Sequence, residues 1–296
     1  MSHFAQAATL PERTSEPAVH RSPWWQAAVL LALVVWLYSS ILGRLALQWW
    51  TDPNFSHGFF VPAFSIFVLW QNRARLQAMP RSPSLWGLPI IVLGLITLVV
   101  GVLGAELFLS RTSLLLLTAG LVIYFLGWNL FRAVLFPWAF LVLMIPIPAI
   151  VFNQITFPLQ LLASRVAAAV LPLLGVPVLR EGNVINLPEM ALEVAEACSG
   201  IRSLMSLTTL AIIYGYLMET RTSVRVLLAV ASIPIAVAAN SLRIIGTGLL
   251  VQYWDPEKAE GFFHAFSGWL IFVVSLGMLF FVHKLARYRR ESRGTS

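Results

Sequence analysis

The chain has 296 residues, of which 58% are hydrophobic and only 11% are charged. Soluble domains carry roughly a quarter charged residues, so this composition excludes an ordinary soluble protein and indicates a chain surrounded mostly by lipid. The net charge of +7 does not indicate nucleic-acid binding, because the basic residues form short clusters between apolar runs, as in membrane proteins whose loops set their orientation.

Apolar runs along the chain predict the membrane segments. The first 23 residues are polar and mixed, which predicts a disordered cytoplasmic head, 1–23. Nine runs then follow in order: 24–47, 58–70, 86–104, 112–127, 133–150, 153–175, 199–218, 224–251 and 264–284. The first run is too long for the core of a signal peptide, so we interpret it as a retained anchor. We expect one transmembrane domain, 24–286, followed by a basic cytoplasmic tail, 287–296.

The charges between the runs predict the orientation. Basic residues precede the first run and follow the second, fourth, seventh and ninth: Arg13, Arg21, Arg73, Arg75, Arg81, Arg132, Arg221, Arg225, Lys284, Arg287, Arg289, Arg290 and Arg293. The positive-inside rule places these residues and both termini in the cytoplasm. Nine full crossings would put the termini on opposite sides, so one run must fail to cross.

The run that we expect not to cross is 153–175. It carries polar residues and has prolines near its ends: Gln154, Gln160, Ser164, Arg165, Pro158 and Pro172. These features are typical of an interfacial or re-entrant helix, here on the outer side. The predicted fold is therefore all-α and polytopic, with about eight transmembrane helices. The next loop, 177–196, lies outside the cytoplasm, and its Glu181-Gly-Asn183 and Val184–Leu187 predict a small hairpin or turn.

The single cysteine, Cys198, stands at the predicted outer start of the seventh run. One cysteine excludes an intrachain disulfide and argues against a Cys-based metal site, so we expect no metal and no cofactor. A lone cysteine is usually a small buried hydrophobe. At a helix N-terminus, however, the helix dipole and free backbone N–H groups favour the thiolate, which is the nucleophilic form. Arg202 is four residues later and would project from the same helix face.

The eighth run contains an arginine inside the membrane, Arg243, with Asn240 three residues before it on the same face. Arg243 stands seven residues before Leu250, about 10 Å below the outer end of its helix. An arginine at this depth is costly unless it faces a polar cavity or a partner, so it is a candidate functional residue. The alternative is a structural arginine that bonds the backbone of a neighbouring helix.

His264 opens the ninth run, also at the outer boundary. An isolated interfacial histidine is usually only solvated, but here a thiol, an arginine and a histidine fall on the same side at the outer ends of consecutive helices. This combination predicts an acyl-transfer site with a cysteine nucleophile, a histidine base and an arginine that stabilises an oxyanion. A second polar cluster, Asp52 to Gly58, contains Asn54 and His57. It could supply another base or bind substrate, or be only a polar turn.

The chain resembles the exosortase/archaeosortase family in three blocks on separate helices. These blocks are Ala-Cys-Ser-Gly-Ile-Arg-Ser at 197–203, Asn-Ser-Leu-Arg-Ile at 240–244 and the histidine at 264. Asn-Phe-Ser-His-Gly at 54–58 and Ile-Pro-Ile-Pro at 145–148 are similar to its bacterial, exosortase A-like members. The resemblance extends from Trp24 to Arg290.

The resemblance implies a membrane cysteine transpeptidase with Cys198, Arg243 and His264 as its catalytic residues. It implies substrates with a C-terminal sorting signal of three parts, namely a short Pro-Glu-Pro-type motif, an apolar helix and a basic tail. The cleaved protein would then be joined to an envelope acceptor on the periplasmic side of a bacterial inner membrane. Asn240, Arg202, Ser199, His57 and Asn54 would bind substrate or support the site.

Two other functions remain possible from the residues themselves. In a transporter, Arg243 and Asn240 would line a translocation path, and inverted repeats would be expected; we find no convincing repeat. In a non-catalytic scaffold for envelope polysaccharide export, Cys198 would be incidental.

Overall fold

The computed structural model of the chain describes residues 24–188, 190–193, 201–253 and 256–294, with the side chains of the last helix described from Gly268 to Tyr288. The predicted head, 1–23, lies outside the described residues. The helices are α1 (Trp24–Thr51), α2 (Phe60–Gln71), α3 (Arg73–Ala78), α4 (Gly87–Leu103), α5 (Leu107–Leu126), α6 (Trp128–Phe140), α7 (Ala149–Val170), α8 (Ile201–Met218), α9 (Thr222–Tyr253) and α10 (Pro256–Gly294). Single 3-10 turns precede α2 (Ser56–Phe59) and extend α6 (Leu141–Met144) and α7 (Leu171–Leu174).

The predicted all-α class is confirmed. Five of the described helices are long and apolar enough to cross a bilayer: Trp25–Thr51, Leu107–Leu126, Ala149–Leu174, Thr222–Tyr253 and Gly268–Tyr288. Two shorter apolar helices, Gly87–Leu103 and Trp128–Met144, accompany them. The chain is thus a multi-pass membrane protein. The run expected not to cross belongs to the 26-residue helix Ala149–Leu174, so length alone does not distinguish it from a span.

The structure divides into two compact units. The part of α1 up to Ser40 belongs to the first unit. The second unit, Ile41–Ser296, contains all the contacts discussed below.

Helices α4 and α5 pack with their backbones in contact. Glycines stand at every seventh position of α4, at Gly87, Gly94 and Gly101, and all three are buried. A Cβ atom on Gly94 would lie 2.9 Å from the amide nitrogen of Leu117, and one on Gly101 would lie 2.6 Å from that of Ser110. Small residues at helix contacts are a common basis of helix association in membranes, where there is no hydrophobic driving force between helices.

Helices α8, α9 and α10 form a second packed group. Leu207, Leu228 and Leu279, one from each helix, are fully buried in a shared apolar cluster. Near the C-terminal end of α8, Glu219 Oε1 lies 2.8 Å from His283 Nε2, and Tyr214 Oη lies 2.7 Å from His283 Nδ1. One neutral tautomer of His283 satisfies both contacts, donating to the carboxylate and accepting from the phenol.

The predicted hairpin between α7 and α8 is confirmed. Strands β1 (Leu179–Glu181) and β2 (Val184–Asn186) pair antiparallel, and β3 (Ala191–Glu193) adds to the other edge of β2. Gly182 opens the two-residue turn with φ of +65°, a backbone conformation that suits glycine at the first position of a II′ turn. The sheet lies against α7, because Ile185 is fully buried in a cluster with Ala163 and Ala167.

Candidate functional site

Helices α8, α9 and α10 and the segment around the start of α2 enclose a cavity of about 660 Å³. One end is polar and is lined by residues near the beginnings of α8 and α2 and by α9: Ser56, His57, Arg202, Ser203 and Arg243. Farther along α8 the lining is apolar, with Leu210 and Ile213, and Phe60 and Phe272 also line the cavity. From Arg202 to Ile213, α8 rises about 16 Å, so the cavity reaches well into the helix bundle. A site with this volume and lining suits an amphipathic ligand.

The mouth of the cavity is joined to the α1–α2 loop by an arginine contact. Arg202 Nε donates a hydrogen bond to Asn54 Oδ1 at 3.3 Å, across 148 residues of sequence. The Asn54 backbone N–H in turn donates to Asp52 Oδ1 at 2.9 Å, which fixes the turn of this loop. Arg202 is exposed and Asn54 is half-buried. The two predicted supporting residues therefore lie together at the entrance.

His57 lies in the 3-10 turn before α2 and is only 5% exposed. Its Nε2 is 3.3 Å from the carbonyl oxygen of Leu143. In the tautomer that carries the proton on Nε2, this nitrogen donates a hydrogen bond to that oxygen. In that tautomer Nδ1 carries the lone pair, and this buried atom has no hydrogen-bond partner among the residues that the structure describes. Burial lowers the pKa of His57 below its usual value, opposed by the nearby backbone of Leu143 and Asn54. The structure thus presents a neutral imidazole at the cavity wall, capable of accepting a proton.

Close packing positions the turn that carries His57. The indole of Trp49 covers Gly58, where a Cβ atom would collide with the ring. Trp49 Nε1 donates to the carbonyl oxygen of Met144 at 3.0 Å, next to the carbonyl that His57 contacts. The end of α1 therefore holds both the turn and the 3-10 extension of α6.

Arg243 is half-buried in α9 and lines the cavity, as expected for an arginine placed inside a membrane protein. Asn240, one turn earlier, is 4% exposed and is not among the described residues that line the cavity. The guanidinium of Arg243 is planar and has five N–H donors, which suits it to bind a carbonyl oxygen or a carboxylate.

Two predicted residues, Cys198 and Ser199, lie outside the described residues. His264 belongs to α10, four positions before Gly268, which lines the cavity, but its side chain also lies outside the description. Among the described residues, no group of three or more His, Cys, Asp or Glu side chains is arranged to hold a metal ion.

Sequence reasoning missed a row of hydroxyls along α8. Ser203, Ser206 and Thr209 all line the cavity at intervals of three residues. Positions three apart lie near one another on a helix surface, so this repeated spacing was a signal that could have been used. The row leads from the polar mouth toward the apolar end.

The comparison with protein families agrees with this architecture. The family model described as transmembrane exosortase (Exosortase_EpsH) matches residues 49–281, a range that includes every residue described at the cavity. None of the curated proteins and none of the solved structures matches the chain. Because the family model covers most of the sequence, the resemblance to exosortases is confirmed, and the chain belongs to the transmembrane exosortase family.

Proposed function

We propose that this protein is a membrane cysteine peptidase and transpeptidase that cleaves C-terminal sorting signals from secreted proteins. The observation that carries the proposal is the cavity itself, where Arg243, Arg202 and His57 meet at one end of the α8–α10 group in a member of the exosortase family. Its substrates are proteins anchored by one C-terminal apolar helix that follows a Pro-Glu-Pro-type motif. Its acceptor belongs to the cell envelope.

Cys198 is the proposed nucleophile. It precedes the cavity-lining residue Arg202 by four residues in the sequence, and this short separation supports the assignment. Its thiolate attacks the carbonyl carbon of the scissile bond, and the resulting oxyanion is stabilised by the Arg243 guanidinium.

The remaining steps complete the acyl transfer. The tetrahedral intermediate collapses, the C–N bond breaks, and the departing amine takes from His264 the proton that His264 accepted from the Cys198 thiol. The substrate is then joined to Cys198 as a thioester. An amine of the acceptor, or water, then attacks this thioester and releases the thiol. His264 precedes the cavity-lining residue Gly268 by four positions, and this helical spacing supports its assignment. His57, whose Nδ1 has no hydrogen-bond partner among the described residues, is the second candidate for proton transfer.

The proposed topology has eight crossings, by α1, α2, α4, α5, α6, α8, α9 and α10, with both termini in the cytoplasm. Helix α7 then lies along the outer face. Three contacts support this placement. They lie near the beginning, the middle and the end of α7 with its extension, and each joins the helix to a segment that the topology puts on the outer side. Phe152 packs on Phe55 with ring centroids 6.1 Å apart, Ser164 Oγ donates to the Gly182 carbonyl at 3.1 Å, and Tyr253 Oη donates to the Leu174 carbonyl at 3.2 Å.

This topology places the cavity mouth on the periplasmic side of the inner membrane. A substrate held by one transmembrane helix presents the peptide bonds just before that helix at the same level as the mouth. The scissile bond and the proposed catalytic residues would then meet without removing the substrate from the bilayer.

The test is the conversion of an anchored substrate to a product without its C-terminal helix, measured by mass at matched enzyme levels. Cys198→Ser should abolish conversion while folding survives, because a serine hydroxyl stays protonated at neutral pH. Arg243→Lys should also be severely impaired, because lysine keeps the charge but loses the planar fork. Arg165→Lys, at an exposed position on α7, is the matched control and should convert normally.

The same assay separates the proposal from its rivals and assigns the base. In a transporter or a scaffold, Cys198→Ser would have almost no effect, and normal conversion by this variant would end the cysteine-peptidase proposal. We expect His264→Ala to lose proton transfer and His57→Ala to retain part of the activity. The reverse pattern would make His57 the base and leave the reaction class unchanged.

A further inference from the structure

The deep half of the cavity contains a hydroxyl that departs from the pattern in the rest of the bundle. Thr118 and Ser275 donate hydrogen bonds to backbone carbonyls four residues earlier, at 2.8 Å in both cases. Thr209 is 2% exposed and lines the cavity, yet its Oγ1 has no hydrogen-bond partner among the described residues. Thr112 Oγ1 shares this lack of a partner but is not at the cavity.

A buried hydroxyl that lines a cavity and has no partner among the described residues is suited to bond a polar group of a ligand, since buried polar groups are almost always hydrogen-bonded. Thr209 stands in the row with Ser203 and Ser206, and the row extends about 9 Å along α8. The cavity-lining residues near it on α8, Leu210 and Ile213, are apolar. A ligand that fits this half is therefore polar where it meets Thr209 and apolar around that point.

We propose that this deep half is the subsite for the substrate residues directly after the cleaved bond, held in an unwound conformation with one backbone N–H bonded to Thr209 Oγ1. The inference rests on the proposed function. A peptide bond inside a helix has its carbonyl engaged with the N–H four residues later, so cleavage at the end of an anchoring helix requires local unwinding. Unwinding in an apolar environment exposes backbone groups, which serine and threonine side chains can satisfy.

The dimensions agree with a short unwound segment rather than a whole helix. An extended chain rises about 3.3 Å per residue, so the 9 Å row of hydroxyls covers roughly three residues. A cavity of about 660 Å³ is of the size that holds a few side chains. Apolar side chains of these residues would contact Leu210 and Ile213.

The first experiment combines an enzyme variant with a proline scan of the substrate. Thr209→Val keeps the shape and removes the hydroxyl, and we expect it to slow conversion about tenfold, the size of one buried hydrogen bond. Proline has no N–H, so a proline at the one substrate position that bonds Thr209 should abolish the difference between Thr209→Val and the unchanged enzyme. Prolines at the other five of the first six positions should preserve the difference. Thr118→Val is the control, since its hydroxyl lies outside the cavity.

The second experiment locates the segment without relying on turnover. Because the chain has one cysteine, Cys198→Ala gives an inactive, thiol-free background that retains uncleaved substrate. In this background, Ile213→Cys should form a disulfide with cysteines at the second to fourth substrate residues after the bond. Leu227→Cys is the control, because Leu227 is 45% exposed on α9 at a comparable depth. It stands five residues before Ser232, which contacts Thr208 five residues before Ile213.

The outcomes separate this subsite from the proposed function. Two results would overturn the subsite and leave the peptidase function standing, provided that the unchanged enzyme converts substrate. In one, Thr209→Val converts substrate at the same rate as the unchanged enzyme. In the other, Thr209→Val is slower by the same factor at every proline position. Crosslinks at Leu227→Cys as strong as those at Ile213→Cys would also overturn the subsite. Failure of the unchanged enzyme to convert any anchored substrate would overturn both.

Discussion

The contact between His283 and Glu219 should hold the far ends of α8 and α10 together, and its removal should measurably destabilise the protein. His283 is 5% exposed and Glu219 is 7% exposed, with Nε2 and Oε1 2.8 Å apart. We choose His283→Leu because leucine fills the space but removes the hydrogen bonds to both Glu219 and Tyr214. The carboxylate then loses the imidazole while remaining largely buried.

The expected loss follows from the burial of the pair. Removing the hydrogen-bond donor of a buried carboxylate typically costs about 3 kcal/mol or more, because the charge stays buried without its partner. Side-chain hydrogen bonds between membrane helices are often weaker, so we take the lower end of this range. For a protein of this size, about 3 kcal/mol corresponds to a fall of about 6–12 °C in Tm.

The assay is thermal unfolding of the purified protein in one detergent, with two comparison variants. Arg287 also approaches Glu219, at 3.9 Å, but its side chain is 61% exposed, so Arg287→Ala should change Tm little. The double variant Glu219→Leu with His283→Leu removes both polar groups and should regain at least half of the loss. The reasoning is refuted if His283→Leu melts within about 1 °C of the unchanged protein, or if Arg287→Ala is equally destabilising.

Two further predictions test the packing and the topology. Gly94→Leu should lower Tm or yield by forcing α4 and α5 apart, whereas Gly277→Leu should be tolerated because nothing lies within 4 Å of a Cβ atom there; equal effects would contradict the close-packing argument. In a Cys198→Ala background, Gln154→Cys and Gly182→Cys should react with an impermeant thiol reagent from outside, and Arg221→Cys only after permeabilisation. Labelling of Gln154→Cys solely after permeabilisation would show that α7 does not lie on the outer face.

The sequence predicted those parts of the fold that depend on local properties. Apolar runs located the helices, and turn chemistry located the hairpin, where Gly182 takes the conformation that glycine favours. The limits of the apolar runs were less informative about helix ends. The ninth run was 264–284, but α10 extends from Pro256 to Gly294, because a helix can continue into charged sequence beyond its apolar part.

Long-range contacts could not be predicted from local pattern. His283 meets Glu219 across 64 residues and Tyr214 across 69, and no spacing rule connects them. The site shows the same division. Asn54, His57, Arg202 and Arg243 were selected for their chemistry, but only packing places the last three around one cavity. The role of Thr209 depends on a missing hydrogen bond, which only a three-dimensional arrangement reveals.

The most direct test of the central claim is the detection of a substrate joined covalently to Cys198. Enzyme and anchored substrate are mixed, quenched in acid, digested and analysed by mass. The account predicts that the peptide containing Cys198 carries the new C-terminus of the substrate as a thioester. Hydroxylamine should release this adduct, and Cys198→Ser should form none. Accumulation of cleaved product without any adduct on Cys198, and at the same rate in Cys198→Ser, would contradict the account.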